Sequence, residues 1–138
     1  MNKVCFAALA LAATVAFAAP AGAEQFKVKL DGKSEVPPNA SSATGSADIY
    51  YDPASKKLSW KLDYSGLSGP PTAAHFNGPA DVGKNALIVI TIPDIEPDHN
   101  EGSAILTDSE AAQLLAGEYY LNIDTDTNRD GEIRGQIK

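Results

Sequence analysis

The sequence is poor in cysteine, histidine and basic residues, and these shortages exclude several classes of protein. One cysteine, Cys5, is too few for an internal disulfide, a Cys-ligated zinc site or an iron–sulfur cluster. The 11 Lys and Arg residues are outnumbered by 18 Asp and Glu residues, so the formal charge is -7. Nucleic acid and anionic lipid require clustered positive charge, and the sequence argues against both as partners. A content of 43% hydrophobic and 21% charged residues excludes collagen, coiled coils and disordered tails.

The longest apolar run lies at the start of the chain and is typical of an export signal. Lys3 precedes the apolar residues 4–19, and Ala21-Gly22-Ala23 supplies small residues for a signal peptidase. We therefore expect residues 1–23 to be a signal peptide that is cleaved before Glu24. The run is shorter than the roughly 20 apolar residues of a membrane anchor. The expected location is the periplasm or the cell exterior, with no transmembrane span after cleavage.

Residues 24–138 are expected to form one domain of about 115 residues. Removal of the leader takes away Lys3 and Cys5, which leaves 10 basic and 18 acidic residues and a formal charge of -8. Without cysteine, the domain has neither a disulfide nor a thiolate nucleophile, and its stability must come from a hydrophobic core. This length is sufficient, because such domains bury roughly two-thirds of the surface of the unfolded chain.

Hydrophobic and polar residues alternate along most of the domain, and this pattern predicts β-strands. The clearest alternation places Leu58, Trp60, Leu62 and Tyr64 on one face, and we expect Trp60 and Tyr64 to lie in the core with the two leucines. The uninterrupted apolar run over 86–92 predicts a strand that is covered on both faces. Further strands are predicted over residues 26–30, 45–51, 103–106, 119–124 and 132–137.

One segment has the features of a helix. Thr107-Asp108-Ser109-Glu110 matches the capping box, and Gly117 is suited to a left-handed C-terminal cap. A helix is therefore predicted over residues 108–116, docked through Leu114 or Leu115 because a helix this short is not stable alone. About seven or eight strands and one short helix predict an all-β, antiparallel sandwich or barrel.

Five blocks of sequence, in order along the chain, form a recognisable pattern. They are Leu30-Asp31-Gly32 with Glu35-Val36-Pro37-Pro38, Ala73-Ala74-His75-Phe76-Asn77-Gly78-Pro79-Ala80, Leu106-Thr107, Leu115-Ala116-Gly117-Glu118-Tyr119-Tyr120-Leu121-Asn122, and Gly131-Glu132-Ile133-Arg134-Gly135-Gln136-Ile137. Together these blocks resemble the CHRD (chordin-type) domain family. The resemblance implies an immunoglobulin-like Greek-key sandwich in a single-domain, exported bacterial member of the family, without a settled activity.

The resemblance also identifies a candidate polar cluster of His75, Asn77, Asp124 and Arg134. The family commonly has His-x-His-Gly where this chain has His75 and Asn77, and a third histidine where it has Asp124. One interpretation is a hydrogen-bonded network or a weak divalent metal site, built from one imidazole with carboxylate and amide oxygens. The other is that His75 bonds the backbone at a sheet edge. Arg134 is expected to pair with a carboxylate such as Asp124.

The segment that begins at Asp126 reads D-x-N-x-D-G-x-I, which matches the first eight positions of a calcium-binding loop. Its candidate ligands are Asp126, Asn128, Asp130 and Glu132, but Ile137 stands where such loops have a bidentate Glu. The same Asn, Asp and Gly residues are typical of a hairpin turn between two strands. The hairpin is the preferred interpretation and a weak calcium site is the alternative, so no cofactor is expected to be required.

The sequence contains no phosphate-binding loop, nucleophile elbow or recognisable Ser/His/Asp arrangement. We therefore predict an exported, non-enzymatic module that binds a protein or another extracellular ligand, or that associates with the cell envelope. The alternative is a metal-binding domain with superoxide dismutase-like redox activity, which needs several imidazoles. Metal analysis of the purified protein distinguishes the two.

Overall fold

A computed structural model describes residues 22–97 and 100–138. Most of the expected leader lies outside these ranges, as does His99. The described part forms eight strands, one α-helix and a short 3-10 helix at Gly32–Ser34. The strands are β1 (Glu24–Asp31), β2 (Thr44–Asp52), β3 (Lys57–Ser65), β4 (Pro71–Asn77), β5 (Ile88–Ile92), β6 (Glu101–Ile105), β7 (Tyr119–Thr125) and β8 (Ile133–Ile137), and the helix is α1 (Asp108–Leu115).

All eight strands belong to one antiparallel sheet with the order β5-β4-β7-β8-β1-β2-β3-β6. The strands β1, β2 and β3 are neighbours in chain order, and the last strand, β8, lies beside β1. Asp31 and Arg134 form the one register pair between β1 and β8, at the boundary between two four-stranded halves. The rings of Trp60 on β3 and Phe76 on β4 lie 5.0 Å apart, although their strands are distant in this order. The two halves therefore face each other across a shared core, and the sheet is a nearly closed, sandwich-like barrel.

The alternation along β3 follows the packing of the core. Leu58, Trp60 and Leu62 are buried in it, as predicted. Tyr64 is only half-buried and packs against the margin of the core, so the expectation that it lies inside is wrong. It lies next to the end of β3 and opposite Gly45, which has no side chain to cover its ring.

The predicted helix is present and is capped as the sequence indicates. The Thr107 hydroxyl accepts from the backbone N–H of Glu110 at 3.2 Å, and the Glu110 carboxylate accepts from the Thr107 N–H at 2.8 Å. Gly117 has a φ of 78°, the left-handed conformation that favours glycine. Leu114 is the residue that docks in the core. In the ranges that the structure describes, no helix is both long enough and apolar enough to cross a membrane.

Strand β5 is an edge of the sheet and pairs with β4 alone. The side chain of Leu87 is 85% exposed and that of Ile88 is 55% exposed, whereas Ile92 is buried. The prediction that residues 86–92 are covered on both faces is therefore wrong. An apolar run is typical of an interior strand, and the pairing of β5 with β4 alone is a long-range feature that the run does not contain.

Candidate functional site

The two faces of the half-sheet formed by β4, β7 and β8 differ in chemistry. Residues such as Phe76, Leu121 and Ile133 face the core, and the residues between them face the opposite side because strand side chains alternate. In the register of the sheet, His75 lies opposite Asn122, and Asn122 lies opposite Arg134. This polar face consists of His75, Asn77, Tyr120, Asn122, Asp124, Arg134 and Gln136.

A segment that we call the cover segment, residues 78–87, shields this polar face from solvent. The Arg134 guanidinium donates to the carbonyl oxygen of Lys84 at 2.7 Å, and the Gln136 amide donates to that of Ala80 at 2.8 Å. The Asn85 amide donates to the carbonyl oxygen of Val36 at 2.8 Å, which joins the cover segment to the chain after β1. Most of the polar face is therefore buried, and its side chains must find hydrogen-bond partners within the protein.

Between the polar face and its cover lies a cavity of about 410 Å³, which we call the β4–β7 pocket. One wall is apolar, with contributions from Pro37 and Ile88. The other wall carries the polar side chains of β4 and β7, and the exposed residues Arg129 and Asp130 stand at its mouth. Its polar wall consists of His75, Asn77, Asn122 and Asp124.

Three of the four residues of the predicted polar cluster come together in this wall. The Nδ1 atom of His75 lies 3.3 Å from Oδ2 of Asp124. The Asn122 amide donates to Oδ1 of Asp124 at 3.1 Å, and the Asn77 amide donates to Oδ1 of Asn122 at 2.9 Å. Asn122 therefore connects the two ends of the cluster. Asn122 was not among the predicted residues of the cluster, although its alternation with Leu121 and Ile123 places it on the same face as Asp124.

Burial shifts the titration of the two ionisable groups in opposite directions. Burial raises the pKa of Asp124 to about 6, with a further contribution from the negative charge of Asp130. Burial also lowers the pKa of His75. At pH 7 the carboxylate is therefore mainly ionised and the imidazole is neutral.

Arg134 does not pair with Asp124, and the expectation of an ion pair or a bidentate bond to a carboxylate is wrong. Its Nη1 atom donates to Oδ1 of Asn85 at 3.1 Å, its Nη2 atom donates to the Lys84 carbonyl, and its guanidinium lies over the ring of Tyr120. The N–H groups of Arg134 therefore donate to oxygen atoms of the cover segment and not to a carboxylate. Arg134 thus supports the pocket from the neighbouring strand and does not belong to its lining.

Glu35 is a buried carboxyl group that sequence reasoning did not single out. Its Oε1 atom is buried and has no hydrogen-bond partner in the described part of the chain. Burial raises its pKa to about 7, the Arg134 charge opposes this shift, and the Asp124 charge adds to it. Glu35 therefore belongs electrostatically to the same polar region. The sequence feature that could have indicated Glu35 is its position in Glu35-Val36-Pro37-Pro38, one of the blocks that resemble the family.

The residues of the candidate calcium loop form the connection between β7 and β8. Asn128 closes this hairpin, because its carbonyl oxygen accepts from the N–H groups of Thr125 and Gly131 at 3.1 Å each. The Glu132 carboxylate is buried and accepts from Ser68, Thr125 and Asn128.

The four candidate ligands of this loop are therefore divided between two environments. Burial alone raises the pKa of Glu132, but the hydrogen bonds from Ser68, Asn128 and Thr125 outweigh it, so the net pKa is lowered. Asn128 and Glu132 bond each other, whereas Asp126 and Asp130 are exposed. Over residues 22–97 and 100–138, no three His, Cys, Asp or Glu side chains come together in a way that could hold a metal ion.

Comparison with known proteins agrees with the fold. The family model described as the CHRD domain matches residues 26–137, which is nearly the whole of the described chain. No curated protein and no solved structure gives a significant match. The match extends from β1 to the end of β8 and includes both walls of the β4–β7 pocket. The chain belongs to the CHRD domain family.

Proposed function

We propose that this protein is an exported, non-enzymatic binding module and that the β4–β7 pocket is its ligand site. One observation carries the proposal: a connected row of polar side chains, from the half-buried His75 through the buried Asp124 and Asn122 to Asn77, borders a cavity. Burial of polar groups is costly, and a core of apolar residues at these positions would be cheaper. A cavity with a few convergent polar groups is the usual form of a small-ligand site.

The composition of the pocket supports binding. Its lining combines an apolar wall with side chains that donate and accept hydrogen bonds, which is the combination that orients a small ligand. The pocket is formed by strands and by a cover segment that is bonded to them at Arg134 and Gln136. Rigid surroundings of this kind reduce the entropy that is lost when a ligand binds. Export is supported by the composition of residues 1–23.

A small set of neutral, anionic and cationic compounds, titrated into the purified protein, tests the proposal. The measurement is the NMR signal of the side-chain amides of Asn77 and Asn122, which lie in the polar wall. At least one compound is expected to shift both signals in a saturable way. The variant His75→Ala should weaken that binding, whereas Asn100→Ala should leave it unchanged, because Asn100 donates to Asp63 away from the pocket. Shifts that spread over the whole surface, or none at all, would contradict a ligand site here.

A further inference from the structure

The hydrogen bonds along the polar wall run in one direction, toward Asp124. A carboxylate can only accept, so Asn122 must turn its NH2 group toward Oδ1 of Asp124, at 3.1 Å. The same NH2 group lies 3.4 Å from the backbone carbonyl oxygen of Asp130, which is also an acceptor. Both donors of Asn122 are then used, and its Oδ1 atom is free to accept from Asn77.

Asn77 is oriented in turn by Asn122. Its NH2 group donates to Oδ1 of Asn122 at 2.9 Å and to the carbonyl oxygen of His75 at 3.3 Å. The remaining polar atom, Oδ1 of Asn77, makes no hydrogen bond within the described part of the chain, although the residue is only 4% exposed and lines the pocket. An acceptor that lines the pocket and bonds no protein group is available to a donor on a ligand.

His75 supplies another acceptor by the same reasoning. Its Nδ1 atom faces a carboxylate oxygen of Asp124 at 3.3 Å, so the hydrogen of the neutral ring belongs on Nδ1. The Nε2 atom then carries a lone pair and no hydrogen. Asp130 adds a carboxylate at the mouth of the pocket.

We propose that the β4–β7 pocket binds a small primary alkylamine in its ammonium form. This inference rests on the proposed function and names its ligand class. The free groups of the inner polar wall, Oδ1 of Asn77 and Nε2 of His75, are acceptors, and an ammonium group has three N–H donors and no acceptor. The apolar side chains of Val36, Pro37 and Ile88 provide a surface for the alkyl chain. The excess of acidic residues over basic ones attracts a cation toward the protein.

Two arginines near the pocket have different effects on a cation. Arg134 is held away from the lining by its bonds to Asn85 and Lys84. Arg129 does line the pocket and is exposed at its mouth. Its charge opposes that of an ammonium ligand, so its removal should strengthen binding. Removal of the charge of the neighbouring Asp130 should weaken it.

Titration of the purified protein with butylammonium chloride, at constant ionic strength, tests the proposal. The side-chain amide signals of Asn77 and Asn122 are expected to shift in a saturable way. Butyltrimethylammonium has the same charge but no N–H group, and it is expected to bind at least about tenfold more weakly. Butyrate has the same chain length and the opposite charge, and it is expected to leave both signals unchanged.

Variants of exposed residues give a test that does not depend on the stability of the network. Arg129→Ala should tighten butylammonium binding about two- to fivefold, and Asp130→Asn should weaken it by a similar factor. Asn77→Ala removes a buried acceptor of the network itself, and in the folded variant the saturable shift of the Asn122 signal should be lost. Asn100→Ala is the control and should bind as the parent protein does.

The outcomes separate this inference from the function on which it rests. Equal binding of butylammonium and butyltrimethylammonium would overturn the role of the N–H donors. Saturable binding of butyrate without butylammonium would overturn the ligand class but would leave a ligand site in place. If none of the three probes and no other compound of the wider set shifts the signals of Asn77 and Asn122, both proposals are wrong.

Discussion

The guanidinium carbon of Arg134 lies 3.5 Å from the centre of the Tyr120 ring, so that a cation on β8 covers an aromatic face on β7. Arg134 also bonds Asn85 and Lys84, and the Tyr120 hydroxyl bonds the backbone of Ala86 as both acceptor and donor, at 3.1 and 3.3 Å. The two residues therefore fasten the cover segment to the sheet. The shape of the pocket depends on this attachment.

Replacement of Arg134 by alanine should destabilise the protein by about 2–4 kcal/mol, because two part-buried acceptors lose their donor and Tyr120 loses the packed guanidinium. The residue is 2% exposed, so water cannot replace it without a rearrangement. Arg129→Ala is the matched control, since the same side chain is exposed there and its loss should cost less than about 0.5 kcal/mol. Urea unfolding of both variants gives the comparison. Equal losses would mean that Arg134 does not anchor the cover segment.

Replacement of Trp60 by alanine should cost about 3–5 kcal/mol, as large aromatic deletions in a core do. The Trp60 ring packs against Phe76 across the core and is buried. Tyr50→Ala on the neighbouring strand β2 is the control, because the Tyr50 side chain is 49% exposed. Urea unfolding should show a much smaller loss for Tyr50. If Trp60→Ala lowers the free energy of unfolding by less than about 1 kcal/mol, the face of β3 that carries Trp60 lies in solvent, and the register of β3 is wrong.

The local features of this fold could be predicted from the sequence, and the partners of individual residues could not. The capping box of α1 and the alternation along β3 depend on residues that are close in the chain. The exposure of Ile88 depends on which strands pair, and the partners of Arg134 depend on where residues 84 and 85 lie. These are long-range contacts that no local pattern contains. The polar wall could be predicted only in part. Alternation along β7 places Asn122 on the same face as Asp124, but it does not show that Asn77 on β4 reaches Asn122.

Glu35 should make the stability of the protein depend on pH. Its pKa is about 7 in the folded protein, whereas the ordinary value of a glutamate in an unfolded chain is 4.5. The folded state therefore holds a proton that the unfolded state releases between these values. The stabilisation from this proton is complete below pH 4.5 and is lost as the pH rises through about 7. The full effect is up to about 3 kcal/mol.

The variant Glu35→Gln tests this dependence, because glutamine keeps the shape of the side chain without a titratable proton. At pH 8 the variant should be more stable than the parent protein, and at pH 5 the two should be similar. Urea unfolding at both values provides the measurement. The pKa of Asp124 is raised in both proteins, and its electrostatic coupling to Glu35 is part of the difference that the comparison measures. If the free energies of unfolding of the variant and the parent protein differ by the same amount at pH 5 and at pH 8, the pKa of Glu35 is not raised in the folded protein.

Export should leave a protein that begins at Glu24, because Ala21-Gly22-Ala23 ends the apolar run in small residues. Mass spectrometry of the intact exported protein measures this directly. Replacement of Ala23 by a large residue such as phenylalanine should block cleavage at this position. A mature protein that keeps Met1, or that carries a lipid on Cys5, would contradict the prediction.

Calcium should have little effect on the stability of this protein. Glu132 and Asn128, two of the four candidate ligands, already bond each other, and the Glu132 carboxylate also accepts from Ser68 and Thr125. The exposed Asp126 and Asp130 are left, and Ile137 cannot supply the bidentate carboxylate that calcium loops use. A site of this kind is expected to have an affinity on the order of millimolar, as in weak extracellular sites.

At a calcium concentration equal to such a dissociation constant, the stabilisation is RT ln 2, or about 0.4 kcal/mol. Addition of calcium at about that concentration to the chelated protein should therefore raise the melting temperature by only about 1–3 °C. Thermal unfolding with and without calcium, in the parent protein and in Asp126→Ala and Asp130→Ala, gives the measurement. A rise above about 8 °C that disappears in either variant would require Glu132 to exchange its bonds with Ser68 for the ion. In that case the connection between β7 and β8 would be a calcium site, and the hairpin interpretation would be wrong.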